Sequence, residues 1–285
     1  MVRGAASDDR FWRLAIEHTT TYRYSTHVRA SFNEVRVVPL SSRRQTALET
    51  RMMTTPAASP YRYRDYWGTE VLAFDVPGAH DLLRVRASAL VETHSPPEPP
   101  TAGWEAITST RPRLVEFCAP SLHTQWDEEM ALVAEGLWQD DPVATVEAVT
   151  GWVHENLDYA PGTTGVRTSA LEAWERSRGV CQDFAHLSLA MLRSLGIPAR
   201  YVSGYLHPDE DAELGQEAVG ESHAWIEAWA GDWWGVDPTN AVPAGLRHVV
   251  VAQGRDYADV PPVKGIYAGT ADDDLSVEVR VTRVA

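Results

Sequence analysis

The 285-residue chain holds two cysteines, Cys118 and Cys181, in very different settings. Cys181 lies in Arg178-Gly179-Val180-Cys181-Gln182-Asp183-Phe184, where a glycine turn gives way to a helical pattern. The thiolate is the reactive form of cysteine, and the free N–H groups and dipole of a helix N-terminus favour it. The same N–H groups are placed to stabilise the oxyanion of an attacked carbonyl. Taken alone, such a cysteine is as readily an inert core thiol as a nucleophile, because free cysteine is among the most buried residue types. His223 and Asp237 alter that balance. A nucleophilic thiol needs a base to take its proton and a carboxylate to fix the imidazole tautomer. Cys181, His223 and Asp237 supply all three types in that order, at separations of 42 and 14 residues.

The elements around these residues make a geometric demand. His223 opens an alternating segment, 222–230 (SHAWIEAWA), in which His223, Trp225, Glu227 and Trp229 share a face. Asp237 ends the next strand-like run, 233–237 (WWGVD), and Ala230-Gly231-Asp232 reads as the turn of a hairpin. With a three-residue loop, Trp225 faces Asp237 and His223 faces Thr239. His223 and Asp237 are then diagonal neighbours on one face, roughly 7–8 Å apart at Cα. A two-residue loop without a bulge would put them on opposite faces.

The rest of the chain reads in two styles. Residues 11–24 alternate with the period of a strand, and shorter strand-like runs follow at 33–38, 48–54, 69–76 and 82–92. Turn-rich stretches at Ser41–Ser42, Pro56–Pro60 and Pro77–Gly78 separate them. The proline-rich segment Ser95–Gly103 reads as a linker. Helical spacing then takes over: Trp126, Met130, Val133 and Leu137 within 125–139, and Val146, Val149, Val153 and Leu157 behind an Asp141–Pro142 start. Ser169-Ala-Leu-Glu172 fits a capping box opening a short helix to about Ser177. A helix from Cys181 to Leu195 turns Phe184, Leu187, Met191 and Leu195 inward and stops at Gly196, with Pro198 blocking continuation. Strands are expected at 199–206 and in the tail 276–284, which is expected to add an edge to a sheet, the N-terminal module being the candidate. The expected division is a β-rich module over 1–95, a core over 96–250 and a C-terminal segment with an edge strand over 251–285.

The segments GVCQDFAHL (179–187), LRSLGIPARYVSGYL (192–206), SHAWIEAW (222–229) and GVDPTN (235–240) resemble the transglutaminase-like superfamily, in particular its bacterial branch. NEVRVVPL, YWGTEVLAFDVPGAHDLLRV and RDYADVPPVKGIY extend the resemblance over most of the chain. The resemblance implies an α+β, papain-like core, with the nucleophile at a helix start packed on an antiparallel sheet, preceded by an all-β module. It implies acyl-thioester chemistry on an amide, with Cys181, His223 and Asp237 as the catalytic positions. The acyl group would pass to water, as in a cysteine peptidase or amidase, or to an amine, as in a transglutaminase or amide-forming acyltransferase. Hydrolysis is the default, since water needs no second binding site. A binding module on the same fold is the reading from another class. The family's oxyanion helper lies upstream of the cysteine, where Tyr159 and Trp174 are the loosely matching candidates.

Composition narrows the partners. The formal charge of −15 is scattered and repels nucleic acid and anionic lipid. Expected partners are a peptide, protein or small amide, with an amine acceptor in the transglutaminase reading. Neither acidic stretch, Asp209–Glu217 nor Asp272–Asp274, has the pattern of a calcium loop, and no His/Cys cluster suggests zinc, so no metal or cofactor is expected. The first 18 residues lack an apolar signal core, no apolar run is long enough to cross a bilayer, and two cysteines give no disulfide framework. A reduced, cytoplasmic protein is the expectation. Cys118 reads as a structural thiol. His186 lies about 140° around the helix from Cys181 and reads as a core or supporting residue. Asp183 fits dipole complementation, and Trp225, Trp229, Trp233 and Trp234 fit core more readily than cleft wall.

Overall fold

In the computed structural model, which describes residues 11–220 and 222–285, the alternation at the start becomes strand β1 (Phe11–Val28). Its even-numbered residues from Trp12 to Thr20 are buried. Five strands complete the N-terminal module: β2 (Ser31–Val35), β3 (Gln45–Thr55), β4 (Tyr61–Arg64), β5 (Glu70–Val76) and β6 (His80–His94). The run expected at 33–38 pairs only as far as Val35, after which the Arg36 N–H bonds the Pro262 carbonyl. Residues 95–103 carry no regular structure, as their prolines require.

Helix α1 (Trp104–Thr110) follows, then α2 (Glu128–Gly136), α3 (Pro142–Asn156), strand β7 (Asp158–Tyr159), α4 (Ala170–Arg176), β8 (Arg178–Gly179) and α5 (Cys181–Ser194). Side-chain caps set three of these starts. The Asp127 carboxylate accepts from Met130 N, so α2 begins after Trp126, two turns' worth of apolar spacing notwithstanding. Asp141 caps α3 with Pro142 in its first turn, and Ser169 and Glu172 form the reciprocal capping box of α4. Val146, Val149, Val153 and Leu157 are all buried. Helix α5 is enclosed all round, every residue from Gln182 to Arg193 being buried, and Gly196 closes it at φ +75°. A helix with no solvent face is the centre of a core, not its cover.

The remaining strands are β9 (Ala199–Leu206), β10 (Glu217–Gly220), β11 (His223–Trp229), β12 (Trp233–Asp237), β13 (Val242–Pro243), β14 (His248–Gly254), β15 (Val263–Tyr267) and β16 (Asp273–Arg283). An antiparallel sheet in the order β13-β12-β11-β9-β14 packs against α5. A second sheet, β10-β16-β1-β6-β3, contributes Trp12, Leu14, Ile16, Val91, Val279 and Val281 to the same core. The third, β15-β2-β5-β4, closes a separate apolar cluster with the far half of the second sheet. The tail strand thus joins the N-terminal sheet as expected, but as an interior strand. The edge goes to β10, because Glu217–Gly220 leave the acidic loop to pair with Gly220 opposite Val279 and Glu217 opposite Thr282.

A buried hydrogen-bond chain ties the two halves together. His18 Nδ1 bonds the Tyr205 hydroxyl at 2.9 Å, and that hydroxyl donates to the Val37 carbonyl at 3.1 Å. Burial holds His18 down from 6.5 to about 4. Burial likewise pulls His186 down to about 3, partly offset by Asp256. Both folded values lie below the unfolded one, so on acidification the unfolded chain takes up these protons first. Their stabilisation is therefore present above pH 6.5 and is lost as pH falls through about 4 and then about 3. The melting temperature is expected to drop steadily from pH 7 to pH 4 and to drop less in a His18→Gln variant, as read by circular dichroism. At Gly204 on β9, an added Cβ would meet the Val249 carbonyl and come within 2.7 Å of the Trp225 ring. Gly204→Ala is expected to cost about 1–3 kcal/mol in urea unfolding, the range for forced overpacking.

Candidate active site

Residues of three elements converge at the start of α5. Strand β7 pairs in parallel with β8, which sets Tyr159 beside Gly179, and Cys181 begins the helix two residues on. The N-cap is Val180, in extended conformation and without a capping side chain of its own. Asp183 reaches back instead: its Oδ2 accepts from Val180 N at 2.8 Å and from Thr164 Oγ1 at 2.6 Å. This carboxylate is buried and orients the turn carrying the cysteine, beyond the dipole complementation expected of it. Gly179 makes room for it, since a Cβ there would lie 2.5 Å from the Asp183 Cβ. Cys181 itself is partly exposed.

The hairpin meets the condition set by its loop. Ile226 pairs with Val236 and Trp229 with Trp233, which leaves the three-residue turn 230–232 with Gly231 at φ +107°. His223 and Asp237 therefore share a face, and His223 Nε2 bonds Asp237 Oδ2 at 2.7 Å. With Nε2 so engaged, Nδ1 is the nitrogen left to face the Cys181 thiol, which lies close enough to help hold this imidazole's pKa up. The structure thus brings together all three residues singled out in the sequence.

Electrostatics follow from burial and pairing. Burial is the largest single influence on His223 and acts downward. The hydrogen bonds and charges of Asp237 and Cys181 together outweigh it and hold the imidazole up at about 10. Burial pushes Asp237 up, but bonds from His223 and His248 prevail and keep the carboxyl well below its ordinary range. Asp237 is fully buried and ionised, and its acceptors are filled. Oδ1 takes the N–H groups of Thr239 at 3.0 Å and Asn240 at 3.3 Å, and Oδ2 takes the Asn240 side-chain amide at 2.7 Å besides the two imidazoles.

His248, the first residue of β14, is the residue that sequence reasoning missed. Its Nε2 lies 3.1 Å from Asp237 Oδ2. The available signal was a β-branched run, HVVVA, opening on a histidine just before the expected end of the core. Among the described residues, His223, Asp237 and His248 have the residue types of a metal site, with facing atoms within 4.8 Å of one another. Hydrogen bonding accounts for the grouping, because each Nε2 spends its proton on the carboxylate.

The other candidates separate. Trp174 stacks on Trp152 at 5.3 Å, whereas Tyr159, more than half exposed, lies 6.2 Å from Phe184 beside the cysteine turn. Trp225 and Trp234 are core residues, and Trp233 carries the Arg200 guanidinium 4.1 Å above its ring. His186 is fully buried, accepts from Tyr257 N and stacks on His123. Cys118 is half-buried, and burial raises its thiol pKa against the pull of Arg111 and Arg193.

A central helix with a cysteine at its start, set against an antiparallel sheet bearing a paired histidine and aspartate, defines the papain-type thiol fold. Residues 131–238 match the Transglutaminase-like superfamily, and residues 14–92 match the Bacterial transglutaminase-like N-terminal region. The chain belongs to the transglutaminase-like superfamily. An uncharacterized protein of Mycobacterium leprae is 47% identical over 278 residues, covering 96% of this chain and 100% of the relative. A crystal structure from Cytophaga hutchinsonii, described as a "Putative Cysteine Protease", superposes with a TM-score of 0.78 at 24% identity, over 96% of this chain and 91% of that one. A protein-glutamine gamma-glutamyltransferase of Pseudomonas aeruginosa is 31% identical over 121 residues, covering 38% of this chain and 18% of the relative.

The contrast between the two thiols is directly measurable. Iodoacetamide at neutral pH is expected to alkylate Cys181 at least about tenfold faster than Cys118, because only Cys181 has an imidazole partner. Peptide mapping after a time course reads the two rates. Equal rates would break the link between His223 and the thiol.

Proposed function

We propose that the protein is a thiol-dependent acyl-transfer enzyme acting on amide or peptide bonds, most simply by hydrolysis, in a reducing cytoplasmic setting. The observation that carries this reading is His223, held by a 2.7 Å bond to the buried Asp237, with Cys181 near enough to help raise its pKa. In the reaction, the Cys181 thiolate attacks the carbonyl carbon and the S–C bond forms. The oxyanion develops against the N–H groups at the start of α5. His223 gives its Nδ1 proton to the departing nitrogen as the C–N bond breaks. Water then attacks the thioester, passing a proton to His223, and the C–S bond breaks to restore the thiolate. Asp237 keeps the imidazole in one tautomer and orientation throughout. Two free cysteines support the reducing setting.

Transfer to an amine in place of water is the second reading. It is favoured by the sequence likeness to the Pseudomonas aeruginosa protein-glutamine gamma-glutamyltransferase over the 121 aligned residues. Intact-mass analysis of the protein with a panel of activated amide and peptide donors tests both. The expected result is an acyl adduct on Cys181 that is absent from Cys181→Ala and decays in water. Faster decay with a primary amine, with a matching new amide product, would favour the amine reading. No adduct on any donor, with Cys181 freely alkylated, would favour a binding module.

A further inference from the structure

The active-site carboxylate has a second histidine on it. His248 Nε2 approaches Asp237 Oδ2 at 3.1 Å, on the same oxygen that takes His223 at 2.7 Å. The two imidazoles come from different strands. His223 opens β11, and His248 opens β14, on the far side of β9. Gly204 of β9 lies opposite His223, and the Trp225 ring covers the place where a side chain would stand. Trp225 then braces both imidazoles, at 6.0 Å from His223 and 5.2 Å from His248.

The protonation of His248 is fixed by a backbone N–H three residues earlier in the chain. Gly245 N donates to His248 Nδ1 at 3.2 Å, so that nitrogen is an acceptor without a hydrogen. Nε2 must then carry the ring proton and donate it to Asp237. The ring is fully buried, and burial holds it neutral against the pull of Asp237. Asp237 and His223 face it from the hairpin, and Arg247 precedes it in the chain. His248 also lines a cavity of about 40 Å³, together with Arg44, Gln45, His94, Pro96, Trp225 and Glu227. That space is too small for a substrate and has room only for a few waters. His248 is thus shut off from any substrate and can act only through the carboxylate.

We propose that His248 is a positioning residue for the Cys181–His223 pair: a neutral, tautomer-locked donor that fixes the Asp237 carboxylate so that Oδ2 points at His223. A neutral donor fills the third site on that oxygen without bringing a second positive charge. The anion of Asp237 therefore remains matched to a single imidazolium, that of His223. Without the donor, Asp237 Oδ2 keeps only His223 and the Asn240 amide, and the imidazole's partner is held less firmly in place.

This inference rests on the thiol-enzyme reading but is tested without any substrate. The probe is the pH profile of Cys181 alkylation by iodoacetamide, read by peptide mapping in the full chain. The wild-type profile of the Cys181 rate is the reference. In His248→Phe, which keeps an aromatic ring and removes the donor, the profile is expected to move about one pH unit upward, with a roughly tenfold slower rate at pH 6. In His248→Gln, whose amide can donate to Asp237, the rate is expected to stay within about threefold of wild type. An unchanged or downward-shifted profile in His248→Phe overturns the proposal. So does an equal loss in both variants, which would assign the residue to packing alone. Thermal melts report folding. Should His248→Phe fail to fold, His248→Asn replaces it, its shorter amide withdrawing the donor, with the same outcomes. Failure of wild-type Cys181 to form an acyl adduct would sink the enzyme reading while leaving this comparison intact.

Discussion

The region around the cysteine depends on the burial of one ionised carboxylate. A carboxylate removed from water costs several kcal/mol unless hydrogen bonds replace its hydration. Asp237 has no exposed surface, and it is surrounded by five N–H donors. Two come from the backbone of the turn that follows it, one from the Asn240 amide and two from imidazoles. Each donor lies where it does because a local structure is right: the Pro238–Asn240 turn, the three-residue hairpin loop, and the strand beginning at His248. The motif DPTN is thus a solvation shell written into the chain as much as a sequence signature.

That constraint also explains the distribution of small residues. Gly179 admits the Asp183 carboxylate beneath the cysteine turn, and Gly204 admits the Trp225 ring beneath the histidines. In both places a functional group stands where a neighbouring side chain would otherwise be. The N-terminal sheet has a different part. Its inner face supplies Trp12, Leu14 and Ile16 to the core that encloses α5, so the helix bearing the cysteine is held from behind by strands remote in sequence.

The catalytic candidates were legible because their signals are local and redundant. The helix start at Cys181 follows from a glycine turn and an apolar stripe, and the parity of His223 and Asp237 follows from a loop that can be counted. Capping residues were legible for the same reason, as at Asp141 and Ser169. His248 was not, because what gives it meaning is a contact across two intervening strands, and no periodicity records which strand lies beside which. Strand β10 was hidden by composition: Asp209–Glu217 looks like a solvated loop until its end pairs with β16. Pairing between distant segments decided these cases, and short segments such as β4, β7 and β13 carry too few residues to show a period at all.

The position of β16 has a consequence for how the chain reaches this state. Leu14 pairs with Arg283 and Tyr24 with Asp273, so β1 finds one neighbour about 250–270 residues further along the chain. During synthesis β1 can form a ribbon with β6, yet its other edge stays open until β16 has left the ribosome. Contacts of such long range are slow to form, and an open apolar-faced strand is a template for the wrong partner in the meantime. Until β16 docks, the free edge of β1 is the part of the N-terminal sheet open to such mispairing.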